Sequence, residues 1–534
     1  MIRRPAYVVL LVLTASSGCE KKAVGTGDSL TQLPSRAAAT GDFPDNPLLA
    51  FAPSDTPYAF ATFKPVPADL LRKFLGMAQP IWRKAFGKAV PDDSSIEQRV
   101  MKDVVDVLEH LDIKMIEDHG FSTKARFALY GLGAYPVMRA EILDGARVFE
   151  LVKLAAERWQ LALPPATERA GARYWLIDQP EISVLVAIRP KDFVLALAPH
   201  DVLETNLAAV LGEQKPASSL TTAQLRAIAE RDGFTGQGVG FVDLARVSSM
   251  AAAKLAAAPA CGEAIAALAR RMPRIAFGYD DLTTHRMAFG VVVELAPDVL
   301  AEAKGLTGKL AGLDKLLASH PMMAFAAALD VEHARTAVAR AAGTFGDLGQ
   351  RCQAPELVEV AGKVATTMAQ PLPPFLAGLH GGYAVLDHMT MTPQGPQAIE
   401  GFGSVQLDHA AELLKLAAAE IPNLDIPPDG KPHVLPSSAI PFPGHAAASD
   451  RMIGVAVGQN SAKAAVTALQ GSPAPAPLLV MAYDYGRLLD LIPTGGNDVD
   501  MQAMRDMFKA FGMAAMQIIV DARGVVWWMS FEMK

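Results

Sequence analysis

The segment Met138-Arg139-Ala140-Glu141-Ile142-Leu143-Asp144-Gly145, continuing through residues 146–159, decides how the body of this chain is read. Met138, Ala140 and Ile142 alternate with Arg139 and Glu141, the period of a strand with one buried face. From Ala146 the period changes. Val148, Leu151, Val152, Ala155 and Trp159 fall at helical spacing and mark one buried stripe. Asp144 stands at the junction, where its carboxylate can accept hydrogen bonds from the free amides of the first helical turn.

The same order of strand, cap and helix recurs along the chain. It appears in 240–243 before a helix over 244–257, in 291–297 before 298–310, and in 324–329 with Asp330 before 331–342. Further examples are 404–407 with Asp408 before a helix reaching Ile421, 453–457 with Asn460 and Ser461 before a helix to Leu469, and 478–482 with Asp484. The Asp, Asn and Ser at these junctions read as exposed caps, a structural role. Hairpins fall between the units: 274–279 with 286–295, 518–520 with 525–533, and a meander over 174–197. Strands joined by short turns are antiparallel. The fold class expected is α+β, mostly antiparallel sheets with helices packed on them, built from degenerate strand-cap-helix repeats. Spacings of roughly 25 to 60 residues are too irregular for a solenoid.

Four divisions are expected: 1–18 as an export segment, 19–47 as a modified cysteine and tether, 48–235 as a first α+β domain, and 236–534 as a second region. A further candidate joint lies near 371, at Pro371-Leu372-Pro373-Pro374. Residues 20–47 are rich in Gly, Ser, Thr and Asp without a sustained apolar period, which marks a spacer.

Composition narrows the function classes. The 534 residues carry 49 Lys and Arg against 56 Asp and Glu, and the basic residues are scattered without interleaved aromatics. That is not the electrostatic footprint of a nucleic-acid binder, and no nucleic-acid partner is expected. Apolar residues make up 51% of the chain, enough for well-formed cores, and much of this comes from alanine runs at 250–258 and 334–342. After residue 13 no stretch of 18 strongly apolar residues free of Pro, Gly and charge occurs.

The N-terminus is more specific. Arg3 and Arg4 precede eight apolar residues, 6–13, too few for a helix to span roughly 30 Å of hydrocarbon. Thr14-Ala15-Ser16-Ser17-Gly18-Cys19 follows, small residues ending in Gly-Cys. This layout is that of a signal peptide, and it resembles the lipobox of bacterial lipoproteins. The resemblance implies cleavage between Gly18 and Cys19, and a diacylglycerol-modified Cys19 carrying palmitate-type acyl chains. Ser16 stands where the family usually has Leu or another aliphatic residue. Three chains, as the mature family form has, anchor stably because each buried methylene contributes about 0.8 kcal/mol. Glu20, rather than the inner-membrane-retaining Asp, points to the outer membrane.

Two further cysteines remain, Cys261 and Cys352. An exported chain meets an oxidising compartment, so they read either as one disulfide or as two small buried core residues. No Cys or His cluster with metal-ligand spacing accompanies them, and no metal or other cofactor is expected.

The search for reactive groups finds no phosphate-loop, zinc-protease, nucleophile-elbow or calcium-loop pattern. Gly236-Gln237-Gly238-Val239-Gly240 precedes a strand, whereas phosphate loops follow one and open a helix. His380 and His388 flank Gly381-Gly382 and would meet only across a tight turn; His433 and His445 stand apart. Ser461 and Lys463 sit two apart at a helix start. Met501, Met504 and Met507 with Phe508 and Phe511 read as a core-facing helix or the lining of an apolar groove. In the last strand, Val525, Trp527, Met529, Phe531 and Met533 share one face, and Trp528, with Ser530, Glu532 and Lys534, the other; Trp528 is the expected exposed aromatic. No catalytic residue is assigned. The expected function is a non-catalytic envelope lipoprotein, exported and anchored, binding another envelope component or packing in an assembly. Two other functions are a carrier of a lipid or other apolar ligand, and an envelope hydrolase assembled from distant residues.

Overall fold

The computed structural model describes residues 42–73, 75–76, 113–158, 163–178, 180–254, 259–313, 320–392, 394–491 and 511–534. Residues 1–18, Cys19, most of the expected tether, Trp159, and the segment with Met501, Met504, Met507 and Phe508 lie outside them. The folded body begins before residue 48. Phe43 packs on Phe63 with ring centroids 5.4 Å apart, and Asn46 Nδ2 donates to the carbonyls of Thr62 and Phe127 at 2.8 and 3.0 Å.

The strands are, in chain order, β1 (Tyr58–Ala61), β2 (Phe127–Leu132), β3 (Tyr135–Glu141), β4 (Thr167–Arg169), β5 (Ala172–Ile177), β6 (Ser183–Ile188), β7 (Asp192–Ala198), β8 (Val239–Asp243), β9 (Arg274–Leu282) and β10 (Arg286–Val293). They continue with β11 (Lys309–Leu310), β12 (Met323–Ala328), β13 (Leu379–Thr392), β14 (Gly395–Leu407), β15 (His433–Val434), β16 (Gly444–Ala448), β17 (Met452–Val457), β18 (Ala474–Pro475), β19 (Leu479–Asp484), β20 (Phe511–Asp521) and β21 (Gly524–Met533). Among the described residues, 19 of them form one sheet; β11 and β18 pair separately. With helices on the sheet, the fold is α+β.

The chain traces the same path twice. The first half runs β5-β6-β7-β3-β2-β1-β8-β9-β10 across the sheet. The second runs β15-β16-β17-β14-β13-β12-β19-β20-β21, with every pairing antiparallel as in the first. Helices recur at matching places: Gly145–Arg158 follows β3 as Ala410–Glu420 follows β14, and His200–Thr205 follows β7 as Ser461–Thr467 follows β17. The last strands of the two repeats, β10 and β21, pair antiparallel from Arg286↔Glu532 to Val293↔Val525. Equivalent strands paired in this sense relate the halves by an approximate two-fold axis perpendicular to the sheet.

The expected joints at 235 and 371 both fall within the repeats. Residue 235 falls inside the first repeat, just before β8, which pairs with β1 on one side and β9 on the other. Residue 371 likewise falls inside the second repeat, between the helix Pro355–Ala369 and β13. The change of repeat lies between Val293 and Met323. The strand-cap-helix units are pieces of these larger repeats.

Local signals held where they depended only on neighbours. Asp144 accepts from the Ala146 amide at 2.9 Å, and Asp243, Asp330 and Asp484 accept from amides three residues on. Asp408 does not cap: His409 occupies that position, and the Asp408 carboxylate bonds His380 Nε2 at 2.9 Å. The helix Gly145–Arg158 buries Val148, Phe149 and Ala156, with Phe149 stacked on Trp175 at 4.8 Å. Its core stripe is therefore turned from the one read through Leu151 and Ala155.

Arg139 departs furthest from its reading. The alternation placed it outside, yet it is 0% exposed. Met138, Ala140 and Ile142 pack with Val148, Phe149 and Trp175 on one face of β3, while the face bearing Arg139 lies toward the segments around Phe51 and Val210. Its Nη1 contacts Asp192 Oδ2 at 2.7 Å, its Nε donates to the Tyr130 hydroxyl at 3.2 Å, and its Nη2 donates to the Val210 carbonyl. The guanidinium also stacks 4.0 Å from the centre of the Phe51 ring. A strand covered on both sides can carry a charge inside only if that charge is fully partnered. Removing Arg139 strands the Tyr130 hydroxyl and the Val210 carbonyl but leaves Asp192 beside Arg189 Nη1 at 3.2 Å, so the cost falls below the roughly 3–5 kcal/mol of a wholly unpaired buried charge. Arg139→Ala is thus expected to lower stability by about 2–3 kcal/mol, the cost of the buried polar groups it leaves unsatisfied. A urea unfolding curve within about 1 kcal/mol of wild type would contradict the assignment.

Candidate functional site

Register carries one face of the sheet, unbroken, through both repeats. Ala61, Val239, Gly278, Gly290, Trp528, Gln517, Val480, Ala326 and Tyr383 are successive neighbours across β1, β8, β9, β10, β21, β20, β19, β12 and β13. All are buried. One residue along each strand the opposite face begins, and it is also apolar. Phe60, Gly240, Phe277, Val291, Trp527, Ile518, Leu479 and Ala327 form one row on it. Tyr279, Phe289, Met529, Met516, Met481 and Phe325 form the next.

These residues are half-buried or exposed apart from Gly240; Trp527 is 43% exposed, Phe325 46%, and Met323 on a third row 45%. An antiparallel sheet with one solvated face ordinarily turns polar side chains to that face. Here the less covered face carries aromatic, methionine and branched aliphatic side chains and no charge in either row. Partly uncovered apolar patches of this kind are common at interaction sites, which makes this face the candidate; at its Tyr279 end it packs against Leu70 and Val66. The row from Tyr279 to Phe325 crosses six strands; at about 4.8 Å between strands it is about 24 Å long. Three of its members are methionines, whose unbranched thioethers adapt to varied shapes. Burial pushes the Tyr279 and Tyr485 hydroxyls above their ordinary range, so these phenols stay neutral.

The glycine run has its explanation here. Phe60 and Phe277 flank Gly240 in register and stack 5.9 Å apart with their planes 5° from parallel. A Cβ at Gly240 would lie 2.7 Å from the Phe277 ring, and one at Gly238 would lie 2.6 Å from the Phe60 ring. Close approach of rings, not flexibility, requires these glycines.

The face assignment of the last strand is reversed. Trp528, read as the exposed aromatic, is 5% exposed, and its Nε1 donates to Asp280 Oδ2 at 3.3 Å. Ser530, which suggested a polar outer face, is buried in a row of small residues with Ala288, Ala515, Ala482 and Ala324. Burial raises the Asp280 carboxyl, opposed by the Trp528 hydrogen bond and by the charges of Arg286 and Arg523. Phe511 lies at the start of β20, not on a helix.

The polar candidates do not converge. His380 and His388 lie on one continuous strand, β13, and take separate partners, Asp408 and Thr390. His433 bonds Asp429 at 3.0 Å. His445 Nδ1 meets Ser461 Oγ at 2.9 Å, and Ser461 is buried, not an exposed cap. No carboxylate among the described residues hydrogen-bonds His445. In a second cluster Asp178 lies between Ser183 and His200, at 2.7 and 2.6 Å, so the carboxylate separates hydroxyl from imidazole. No group of three or more His, Cys, Asp or Glu with metal-site geometry occurs among the described residues. A cavity of about 330 Å³ is lined mostly by charged and polar residues: Glu302, Asp330, Glu332, His333, Thr336 and Arg340, with Ala337. It is not the apolar enclosure that a carrier would offer.

Compared with known proteins, the chain matches no family model, no curated protein and no solved structure.

The reversed tryptophans can be checked directly. Trp527→Phe should remove a red-emitting component readily quenched by acrylamide, and Trp528→Phe a blue-emitting, poorly quenched one. The opposite pattern would restore the reading in which Trp528 faces out.

Proposed function

We propose that this chain is a non-catalytic envelope lipoprotein, exported by residues 1–18, anchored through lipid on Cys19 with the outer membrane as its destination, and binding through the less covered face of its sheet. One observation carries the binding role: a face of aromatic and methionine side chains that runs across both repeats without charge and without full cover. Burying such a face contributes about 25 cal/mol per Å² of apolar surface removed from water. The partner is another component of the envelope. A second reading, a carrier of a lipid or other apolar ligand, is favoured by the row of about 24 Å between Tyr279 and Phe325, longer than one acyl chain in a leaflet of roughly 15 Å. The hydrolase reading draws no comparable support, since the histidine and serine pairs lack the ordered third group of a nucleophilic site. No helix among the described residues is long and apolar enough to cross a membrane.

Two measurements test the proposal separately. Mass spectrometry of the mature protein should find its N-terminus at acylated Cys19; an unmodified terminus elsewhere ends the anchor. Cross-linking in intact envelopes should capture a reproducible partner or lipid with the wild type and lose it with Phe325→Glu plus Trp527→Glu. Capture unaffected by those charges would move binding away from the sheet face.

A further inference from the structure

The helices Val331–Arg351 and Pro355–Ala369 form a hairpin inserted between β12 and β13. They close on each other through small residues: a Cβ at Gly349 would lie 2.9 Å from Val358 Cγ2, and one at Gly346 would lie 3.5 Å from Ala361 Cβ. Otherwise the hairpin is thinly held. Its buried residues are Ala342 and Gly349 in the first helix and Ala361 in the second, while Val338, Phe345 and Val360 are exposed.

The root is fixed. Asp330 caps the first helix, His333 packs against Gly305, and Arg340 Nη1 pairs with Glu302 at 2.6 Å. The first helix has 21 residues, so at about 1.5 Å per residue its two ends lie about 31 Å apart. At that far end Cys352, the last cap residue, is joined to Cys261 of the helix Pro259–Arg271, which belongs to the first repeat. The two Cα atoms are 4.5 Å apart. The bridge thus ties the tip of an arm rooted in one repeat to a helix of the other. The pairing of β10 with β21 joins the same repeats independently.

We propose that the Cys261–Cys352 bridge is a latch: it closes the tip of this helical arm onto the first repeat, and a dithiol opens it, freeing the arm while the sheet stays folded. Cys261 is buried and Cys352 half-buried, so attack falls on Cys352 Sγ. One thiolate of the dithiol bonds to Cys352 Sγ, the Sγ–Sγ bond breaks, and Cys261 leaves as a thiolate that takes a proton. The second thiolate of the dithiol then attacks the mixed disulfide, and Cys352 leaves and is protonated. Two electrons and two protons pass to the protein sulfurs, and the reagent ends as a disulfide. Opening releases the exposed apolar side chains Val338, Phe345 and Val360 from a fixed position.

The test compares the full oxidised chain with the same chain after dithiothreitol and with the Cys261→Ser plus Cys352→Ser variant, by hydrogen exchange over minutes. In both opened forms the amides of Val331–Arg351 and Pro355–Ala369 should exchange at least tenfold faster, with β9, β10, β20 and β21 unchanged. An unchanged arm would overturn the latch, as would equal acceleration of the strands, which would make the bridge a staple of the whole fold. Failure of dithiothreitol to reduce the folded chain, with the variant arm mobile, would overturn its opening by a dithiol.

Discussion

The hydrogen-bonded seam between β10 and β21 is the constraint on which the rest of the molecule depends. Eight residue pairs, from Arg286↔Glu532 to Val293↔Val525, turn two copies of one topology into a single sheet. Because side chains alternate with a period of two, a slip of one residue at this seam would turn one repeat's packed face against the other's open face. The seam also carries a steric constraint. Gly290 lies opposite Trp528 with Gly278 beyond it, and both glycines are needed because the Phe234 ring packs over them at 2.9 and 2.8 Å from where a Cβ would stand.

Packing then divides the two faces unequally. The covered face, from the seam through the second repeat, is rich in small side chains, such as Ala288, Ser530, Ala515, Ala482 and Ala324 in one row. Covering segments can approach small residues closely, and dense packing there holds many dispersion contacts. Trp528 and Tyr383 apart, most of the large side chains across the central strands are set on the other face, where cover is partial. Apolar surface left in that state lowers solubility and favours association. Its persistence over a dozen positions therefore calls for an occupant, which is the physical basis of the binding role proposed for this chain.

What was legible in the sequence was local. Hairpins and the caps at Asp144, Asp243, Asp330 and Asp484 follow from turn chemistry and the first free amides of a helix, which involve only neighbours in the chain. The α+β class follows from the alternation of those pieces. Long-range contacts decided the rest. Arg139 is interior because Asp192, Tyr130 and Val210 arrive from elsewhere in the fold. Asp408 serves His380 instead of a helix for the same reason. The duplication is hidden because its halves share a path of strands while their loops and hairpins differ in length; β13 and β14 have 14 and 13 residues where β2 and β3 have 6 and 7. The candidate site was missed because a strand apolar on both faces offers no alternation, and Ser530 and Glu532 pointed the wrong way. An excess of Phe, Met and Trp over polar residues on successive strands was the available signal.

In the proposed role this sheet face is the surface that meets an envelope component. Hydroxyl-radical footprinting of methionines, on the purified chain and in intact envelopes, addresses it directly. Met323, Met481, Met516 and Met529 should oxidise readily in the purified chain and be protected in the envelope, while Met322 and Met513, buried on the other face, stay unreactive in both. Equal oxidation of the first four in both settings would show a face that meets nothing, and would contradict the account.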